Sequence, residues 1–415
     1  MKSDEQRPSW LRDAEPSAGV EGFVFYGGRA GIKKSGADDF GLIFAPEGAR
    51  CAAVYTQNLV VAAPVTLSRA HLKATSGRVS AVLVNSGNAN ACTGEGGMRD
   101  ALESCQLVAQ ALSERAGREL PLEELQVCST GVIGAPLPME PLREHIPIAA
   151  QGLTARGLPD LARAIMTTDT RPKARALSLT LSSGVELRVA GVSKGAGMIH
   201  PNMATMLAYL CTDASLSHEQ LNALWSRVCD KSFNAITIDG DTSTNDTALL
   251  LASGQGEPLE GEDLARLERG LTELARELAL DILRDGEGVE HVLHLKVSGA
   301  RSQEEARRVA EAIALSPLVK TALNGCDPNW GRIIAAAGRS GVALDPSLLS
   351  LSIGGSLIYQ EGRWQGPESE AKAHEVMCRA EYEAELSLGL GSEELWIYGT
   401  DLSADYVRIN ADYRS

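Results

Sequence analysis

A chain of 415 residues with 44% hydrophobic content can bury a large core and has the length of two or three domain-sized units. Its formal net charge of -15 argues against nucleic acid as a partner, because a phosphate backbone binds clustered Lys and Arg, and it favours a small-molecule substrate. The first twenty residues lack an apolar segment, and no later apolar run approaches the roughly 18 residues that span a bilayer. We therefore expect a cytoplasmic protein that does not interact with membranes.

Apolar periodicity predicts strands and helices along the whole chain. Runs rich in β-branched and apolar residues predict strands over 51–55, 81–84, 177–181, 186–192, 235–238, 291–297 and 349–353. Leucines at three-to-four-residue spacing predict a long amphipathic helix over 262–283. Shorter patterns of the same kind predict helices over 98–112, 218–228 and 304–313. This mixture predicts an α/β layered architecture without internal repeats.

Clusters of Gly, Pro and small polar residues predict loops that carry chemistry. They occupy 47–51, 85–97, 129–138 and 194–203. No Pro/Ser-rich linker separates autonomous domains, and the role of residues 1–21 stays open.

The last of these loops runs directly into an apolar, strand-like segment at Thr205. The small Ala204 leaves its carbonyl open to attack by the Thr205 hydroxyl, which would permit an N-to-O acyl shift. Hydrolysis of the ester would free an α-amine with a pKa of roughly 7.7 to 8.0, suited to act as the base for its own hydroxyl. On the residues alone, an ordinary loop entering a buried strand is the commoner interpretation.

The Thr130–Gly131 pair in the loop 129–138 can direct a hydroxyl and a backbone N–H at a developing oxyanion. Most turns of this composition only connect two elements, so the pair leaves both interpretations open.

The residue patterns do not indicate a metal or a nucleotide. The eight cysteines form no CxxC pair, and several lie in apolar runs typical of buried free thiols in a reducing compartment. The Asp/Thr-rich runs 167–170 and 237–247 lack the ligand pattern of an EF-hand or a zinc site, so hydrogen-bonded turns are favoured. The segment 323–333 lacks the lysine of a phosphate loop. We expect no metal and no cofactor.

Several motifs occur together in one order along nearly the whole chain. They are AGIK at 30–33, NSGNANACTG at 85–94, STGVIG at 129–134, MTTDT at 166–170, KGAGMIHPNMATML at 194–207, ITIDGDTSTND at 236–246, DGEG at 285–288, NGCDPNWGRI at 324–333 and the ending DYVRINADYRS. With these motifs the chain resembles the ornithine acetyltransferase family, also called glutamate N-acetyltransferase, of arginine biosynthesis.

The resemblance implies an α/β layered sandwich of the N-terminal-nucleophile kind, in which two self-cleaved chains share one core. The cut would fall between Ala204 and Thr205, giving an α chain of residues 1–204 that supplies the oxyanion hole and a β chain of residues 205–415 that begins with the nucleophile. By analogy the two chains associate as α2β2.

The resemblance also implies a reaction. Thr205 would accept the acetyl group of N2-acetylornithine, release ornithine and pass the acetyl group to L-glutamate in a ping-pong exchange. The implied oxyanion hole is Thr130 and Gly131. The implied substrate contacts, in addition to Thr205, are Thr167, Lys194, Glu287, Asn410 and Ser415.

Two other functions compete with this one. A related amidase or aminopeptidase would transfer the acyl group to water, and a noncatalytic paralogue would bind an amino acid without cutting itself. No motif decides whether acetyl-CoA also serves as an acetyl donor.

Overall fold

Strands and helices alternate along residues 7–200, 206–254 and 257–412, which the computed structural model describes. The strands are β1 (Leu11–Ala14), β2 (Val24–Gly28), β3 (Phe40–Tyr55), β4 (Arg78–Asn88), β5 (Leu125–Val132), β6 (Lys173–Thr180), β7 (Glu186–Lys194), β8 (Leu207–Thr212), β9 (Ile236–Thr237), β10 (Thr247–Ala252), β11 (Val292–Ala300), β12 (Ser350–Ile353), β13 (Ser356–Gln360), β14 (Arg363–Trp364), β15 (Glu381–Ser387) and β16 (Glu393–Thr400).

The α-helices lie between these strands and after the last of them. They are α1 (Ala63–Ala74), α2 (Gly94–Ala116), α3 (Met139–Gly152), α4 (Leu158–Ala164), α5 (His218–Asp230), α6 (Gly261–Arg284), α7 (Gln303–Ala314), α8 (Pro317–Asn324), α9 (Trp330–Gly338), α10 (Pro367–Met377) and α11 (Ala404–Asp412). Short 3-10 turns cover Pro16–Ala18, Leu122–Glu124 and Phe233–Ala235.

The strands of the described chain form two sheets. The larger has the order β1-β6-β7-β8-β10-β3-β4-β5, and β2 pairs with β3 beside this path. Its pairs β8–β10 and β4–β5 are parallel, and its other pairs are antiparallel. The smaller sheet has the order β14-β13-β12-β15-β11-β16-β9. Both sheets carry helices, so the predicted α/β layered architecture is confirmed.

The larger sheet is buried on both faces. Along β8, Ala208 and Leu210 join a hydrophobic cluster with α5 and α6, whereas Tyr209 and Cys211 join a second cluster with α4. Successive side chains of a strand point to opposite faces, so β8 can be apolar throughout. The smaller sheet packs on α7 and α9 through a separate cluster.

The N-terminal residues 7–21 extend the larger sheet. Antiparallel β1 pairs with β6 at its edge, with Leu11 opposite Leu179. Trp10 packs against the cluster of α5 and α6, and the guanidinium groups of Arg266 and Arg269 lie 5.5 and 5.9 Å from its ring centroid. This segment is therefore part of the folded protein.

The predicted loops 47–51, 85–97 and 129–138 are wrong wholly or in part. Residues 85–88 belong to β4 and residues 94–97 to α2, so only 89–93 of the second loop lie outside an element. Residues 47–51 belong to β3, where the pairing with β4 shifts between Phe44 and Ala49 and Gly48 has a φ of 78°. A glycine in this conformation allows a strand to bulge without ending. Residues 129–132 belong to β5, and only the part from 133 onward is a loop.

Candidate active site

A cleft opens where β5 and β7 of the larger sheet end beside α11 and the turn that follows α6. Its volume is about 610 Å³ counted to the open mouth. Its lining is rich in hydroxyl, amide and charged groups: Ala89, Thr130, Gly131, Ile133, Thr167, Thr168, Lys194, Gly197, Met198, Ser243, Thr244, Asn245, Glu287 and Asn410. A cleft lined by such groups suits a small polar molecule.

The first wall is the end of β5. Thr130 is buried, and its hydroxyl oxygen accepts a hydrogen bond of 3.3 Å from the Lys194 ammonium. Gly131 has a φ of 131°, and a Cβ there would lie 2.4 Å from the carbonyl carbon of Gly87 in β4. Only glycine fits this close approach of two strands, and it exposes the backbone next to the Thr130 hydroxyl. Such a backbone can stabilise negative charge on a reacting oxygen.

A buried amide fixes this wall, and the sequence motifs did not assign it a role. Asn245 donates hydrogen bonds of 2.6 Å to the carbonyl of Ala89 and 2.9 Å to that of Ser129. The Ser129 hydroxyl in turn donates to Asn85 at 2.6 Å. The segment before β10 therefore holds β5 and the loop after β4 at a fixed separation.

Lys194 ends β7 with its side chain buried under the cleft. Burial lowers the pKa of Lys194, and the nearby Asp169 carboxylate opposes this effect. Burial alone would raise the pKa of Asp169, but Lys194 and Lys173 outweigh it and lower the pKa to about 2. Asp169 also accepts the backbone N–H of Thr167 at 2.9 Å and that of Gly195 at 2.7 Å. One carboxylate therefore positions both Thr167 and the end of β7.

A buried ion network extends from this carboxylate to the opposite wall. The Lys173 ammonium, fully enclosed, lies 2.6 Å from Asp169 and 2.5 Å from Asp285. Asp285 also accepts the backbone N–H of Thr170 at 3.1 Å and bonds its hydroxyl. Lys173 thus joins the loop 167–170 to the turn after α6, which carries Glu287.

Replacing Lys173 by Met is expected to lower the free energy of unfolding by about 3–5 kcal/mol, because two carboxylates would lose their buried counter-charge. Urea unfolding followed by intrinsic fluorescence measures the change. Lys372→Met is the matched control, since its ammonium is exposed and pairs with Glu368 on the same helix. A surface pair of this kind contributes about 0.5 kcal/mol or less. Equal stability of both variants would contradict the structural role of the network.

The second wall presents Glu287 to the cleft. Its carboxylate accepts a hydrogen bond of 2.9 Å from the Asn410 amide, and its backbone N–H donates to Ala196 at 2.8 Å. A Cβ at Gly197 would lie 2.5 Å from a Glu287 carboxylate oxygen, so the glycine leaves room for that group. The arrangement places a carboxylate and an ammonium, Glu287 and Lys194, in one enclosed cleft.

Six of the residues named from the sequence meet in this cleft. They are Thr130, Gly131, Thr167, Lys194, Glu287 and Asn410. The other three, Ala204, Thr205 and Ser415, lie outside the described residues. The nearest described neighbour of Thr205 along the chain is Met206, which is buried immediately before β8.

The structure also describes the polar runs and the cysteines. The run 167–170 and the part of 237–247 between β9 and β10 form hydrogen-bonded turns, as predicted. The cysteines are free thiols, and most of them are buried. In 7–200, 206–254 and 257–412, no three His, Cys, Asp or Glu side chains are grouped so as to hold a metal ion. None of the helices in these ranges combines the length and the apolar content required to cross a bilayer.

Fold and cleft together define an α/β protein with a polar, charge-bearing site. The ArgJ family model matches residues 24–415. Arginine biosynthesis bifunctional protein ArgJ from Geobacter sulfurreducens is 48% identical over 400 residues, which cover 95% of this chain and 100% of that relative. The protein of the same name from Syntrophotalea carbinolica is 46% identical over 403 residues, or 95% and 99% of the two chains. The chain therefore belongs to the ArgJ family.

A solved structure is similar to part of this chain. The crystal structure of arginine biosynthesis bifunctional protein ArgJ from Bacillus halodurans has 38% sequence identity and a TM-score of 0.47. The match covers 49% of this chain and 98% of that chain.

Proposed function

We propose that the protein moves the acetyl group of N2-acetylornithine to L-glutamate, giving ornithine and N-acetylglutamate in arginine biosynthesis. Family membership supports the pathway, because the relatives are named arginine biosynthesis bifunctional proteins. The observation that carries the proposal is the cleft itself, which combines a buried cation, a carboxylate and hydroxyl groups within reach of one amino-acid-sized molecule.

The proposed nucleophile is Thr205, freed by a self-catalysed cut after Ala204. The cut yields an α chain, 1–204, that supplies the oxyanion hole and a β chain, 205–415, that begins with the nucleophile. The two chains keep one shared core and associate as α2β2 in the cytoplasm. In support, Met206 is firmly anchored next to the proposed cutting point, since its backbone N–H donates to Asp246 at 2.9 Å.

The two half-reactions balance without a cofactor. The Thr205 hydroxyl attacks the acetyl carbonyl, its proton passes to the free α-amine, and the C–N bond to ornithine breaks as that proton reaches the leaving nitrogen. The glutamate amine then attacks the acetyl ester and the ester C–O bond breaks. The amine proton passes through the Thr205 α-amine to the Thr205 oxygen, which restores the hydroxyl. Thr130 and Gly131 stabilise the oxyanion in both steps.

Substrate recognition follows from the charges of the cleft. Glu287 pairs with the ornithine ammonium, and Lys194 pairs with a substrate carboxylate, because charge-assisted hydrogen bonds are the strong ones in an enclosed site. Thr167, Asn410 and Ser415 hold the remaining polar atoms of the substrate. Acetyl-CoA is proposed as an additional donor substrate, without a dedicated cofactor site.

The test is an assay of purified protein with N2-acetylornithine, in the presence and absence of glutamate. Ornithine and N-acetylglutamate in equal amounts are expected only when glutamate is present. Free acetate without glutamate would identify the amidase alternative, and unchanged substrate would identify the noncatalytic one. A parallel reaction of acetyl-CoA with glutamate decides whether the second donor is used.

A further inference from the structure

Two cysteines, Cys326 and Cys378, come together on the side of the smaller sheet. Cys326 lies in the turn between α8 and α9, and Cys378 directly follows α10. Cys378 is exposed and Cys326 is half-buried, whereas five of the other cysteines are buried. The side chains of Cys326 and Cys378 share a hydrogen bond. Solvent therefore reaches two thiols that already contact each other.

A histidine lies against each of these thiols. The Nε2 atom of His291 is 3.8 Å from the sulfur of Cys326. The Nε2 atom of His374 is 3.8 Å from the sulfur of Cys378. The Nδ1 atoms face backbone carbonyls, that of Arg379 at 2.9 Å for His291 and that of Cys326 at 2.8 Å for His374. Because a carbonyl only accepts, both Nδ1 atoms carry a proton, and Nε2 of each neutral ring can take the proton of its thiol.

The two thiols differ in exposure and in acidity. Burial raises the pKa of Cys326, and the hydrogen bond with Cys378 raises it further. Cys326 therefore holds its proton in the resting pair. The thiolate is the reactive form of a cysteine, and accessible cysteines beside a basic side chain are the ones that react. Cys378, exposed and next to His374, is thus the thiol that a dissolved oxidant meets first.

The turn that carries Cys326 is special in its backbone and in its contacts. Cys326 has a φ of 52°, a left-handed conformation that is costly for a residue with a side chain. Two residues earlier, the Asn324 amide donates to the Asp401 carboxylate at 2.8 Å. The same carboxylate accepts the backbone N–H of Glu290 at 3.1 Å. The turn is therefore bonded to the segment that follows Glu287 in the wall of the cleft.

We infer that Cys326 and Cys378 form a reversible oxidation site whose substrate is a hydroperoxide. Cys378 is the thiol that attacks the hydroperoxide, and Cys326 is the thiol that resolves the product into a disulfide. The inference is independent of the proposed acetyl transfer, because it uses side chains outside the cleft.

The chemistry balances in two steps. Cys378 gives its proton to His374, and its sulfur bonds to the outer oxygen of the hydroperoxide as the O–O bond breaks. The leaving oxygen takes that proton and departs as water or an alcohol, so Cys378 becomes a sulfenic acid. Cys326 then gives its proton to His291 and its sulfur attacks that of Cys378. The S–O bond breaks, and the hydroxide leaves with the proton as water. The two thiols lose two electrons, which the hydroperoxide gains.

The test treats the folded, purified protein with hydrogen peroxide, then denatures it and counts the thiols that a maleimide still alkylates by intact mass. The wild type is expected to lose two thiols from the polypeptide that contains both cysteines, and dithiothreitol should restore them. Peptide mapping should find Cys326 joined to Cys378. Cys92→Ser removes an exposed thiol elsewhere in the fold and should form the same link.

Two variants separate the roles of the thiols. Cys326→Ser should stop at a sulfenic acid on Cys378, which dimedone traps. Cys378→Ser should leave Cys326 reduced over the same time, because the attacking thiol is gone. Trapping of a sulfenic acid on Cys326 instead would overturn the assigned order.

Three results would overturn the oxidation site itself. The first is a wild type that keeps both thiols. The second is a link between Cys326 and Cys378 that is no more frequent in the folded protein than in protein unfolded in urea, where any of the cysteines can pair. The third is a zinc ion in the purified protein that Cys326→Ser releases, which would identify a metal site. None of these readouts involves acetyl transfer, so failure here leaves the proposed function as it stands.

Discussion

Replacing Thr205 by Ala is expected to leave one chain of 44.0 kDa and to reduce acetyl transfer by on the order of 10⁶-fold. The variant lacks the hydroxyl that attacks Ala204 in the proposed cut and the acetyl group in the proposed reaction. Intact mass under denaturing conditions reports the first effect. Release of ornithine from N2-acetylornithine in the presence of glutamate reports the second.

The matched control is Thr205→Ser, which keeps a hydroxyl and, once cut, a free α-amine. It should give two fragments, one that begins at Met1 and one that begins at the substituted position, and it should retain transfer. A wild-type chain that persists at 44.0 kDa with full activity would show that Thr205 does not act through a freed amine.

Replacing Glu287 by Gln is expected to lower kcat/KM for N2-acetylornithine by on the order of 10²–10³-fold. Removing one member of a buried, hydrogen-bonded charge pair costs about 2–5 kcal/mol. The amide oxygen of Gln can still accept the hydrogen bond from Asn410, so the shape of the cleft is kept and only the charge is lost. Initial rates at a fixed, saturating glutamate concentration measure the effect.

Glu290→Gln is the control for this substitution, because Glu290 lies three residues further on with an exposed side chain. It should leave kcat/KM unchanged. If Glu287→Gln also behaves like the wild type, Glu287 does not bind the ornithine ammonium, and the carboxylate has a structural role only.

Helices and strands were predicted most accurately where apolar residues recur at a regular spacing. The leucine pattern over 262–283 predicted α6 to within one residue at each end, and the alternation over 186–192 predicted most of β7. In β15, Tyr382, Ala384 and Leu386 alternate with glutamates and are buried, so this strand has a clear alternation although it is not among the predicted strands. All residues of β10 are buried, so its apolar run shows no alternation that would distinguish a strand from a helix. Its parallel pairing with β8 joins residues far apart in the sequence, which a local pattern cannot predict.

The residues named from the sequence stay predictions in their roles, and the buried groups that support them in the structure were not predicted. Six of these residues share one cleft. They come from the last residues of β5 and β7, from the loop after α4, from the turn after α6 and from α11. Lys173 and Asp285 are 112 residues apart in the sequence, and no spacing rule predicts a contact between residues so far apart. Asp169, Asn245 and Asp246 lie inside recognised motifs, but a motif does not show which of its polar groups are buried.

The order of strands in the larger sheet determines how strongly a cut molecule would hold together. β8 and β10 follow residue 204 in sequence, yet they lie between β7 and β3, which precede it. Each of the two seams is a six-residue antiparallel ladder, with Lys194 opposite Leu207 in one and Tyr55 opposite Thr247 in the other. Strands of the two products would therefore be interleaved in one sheet, with two strands of the second product between strands of the first. Their separation would require opening both ladders and the core beneath them, so exchange of halves between molecules would be as slow as unfolding itself.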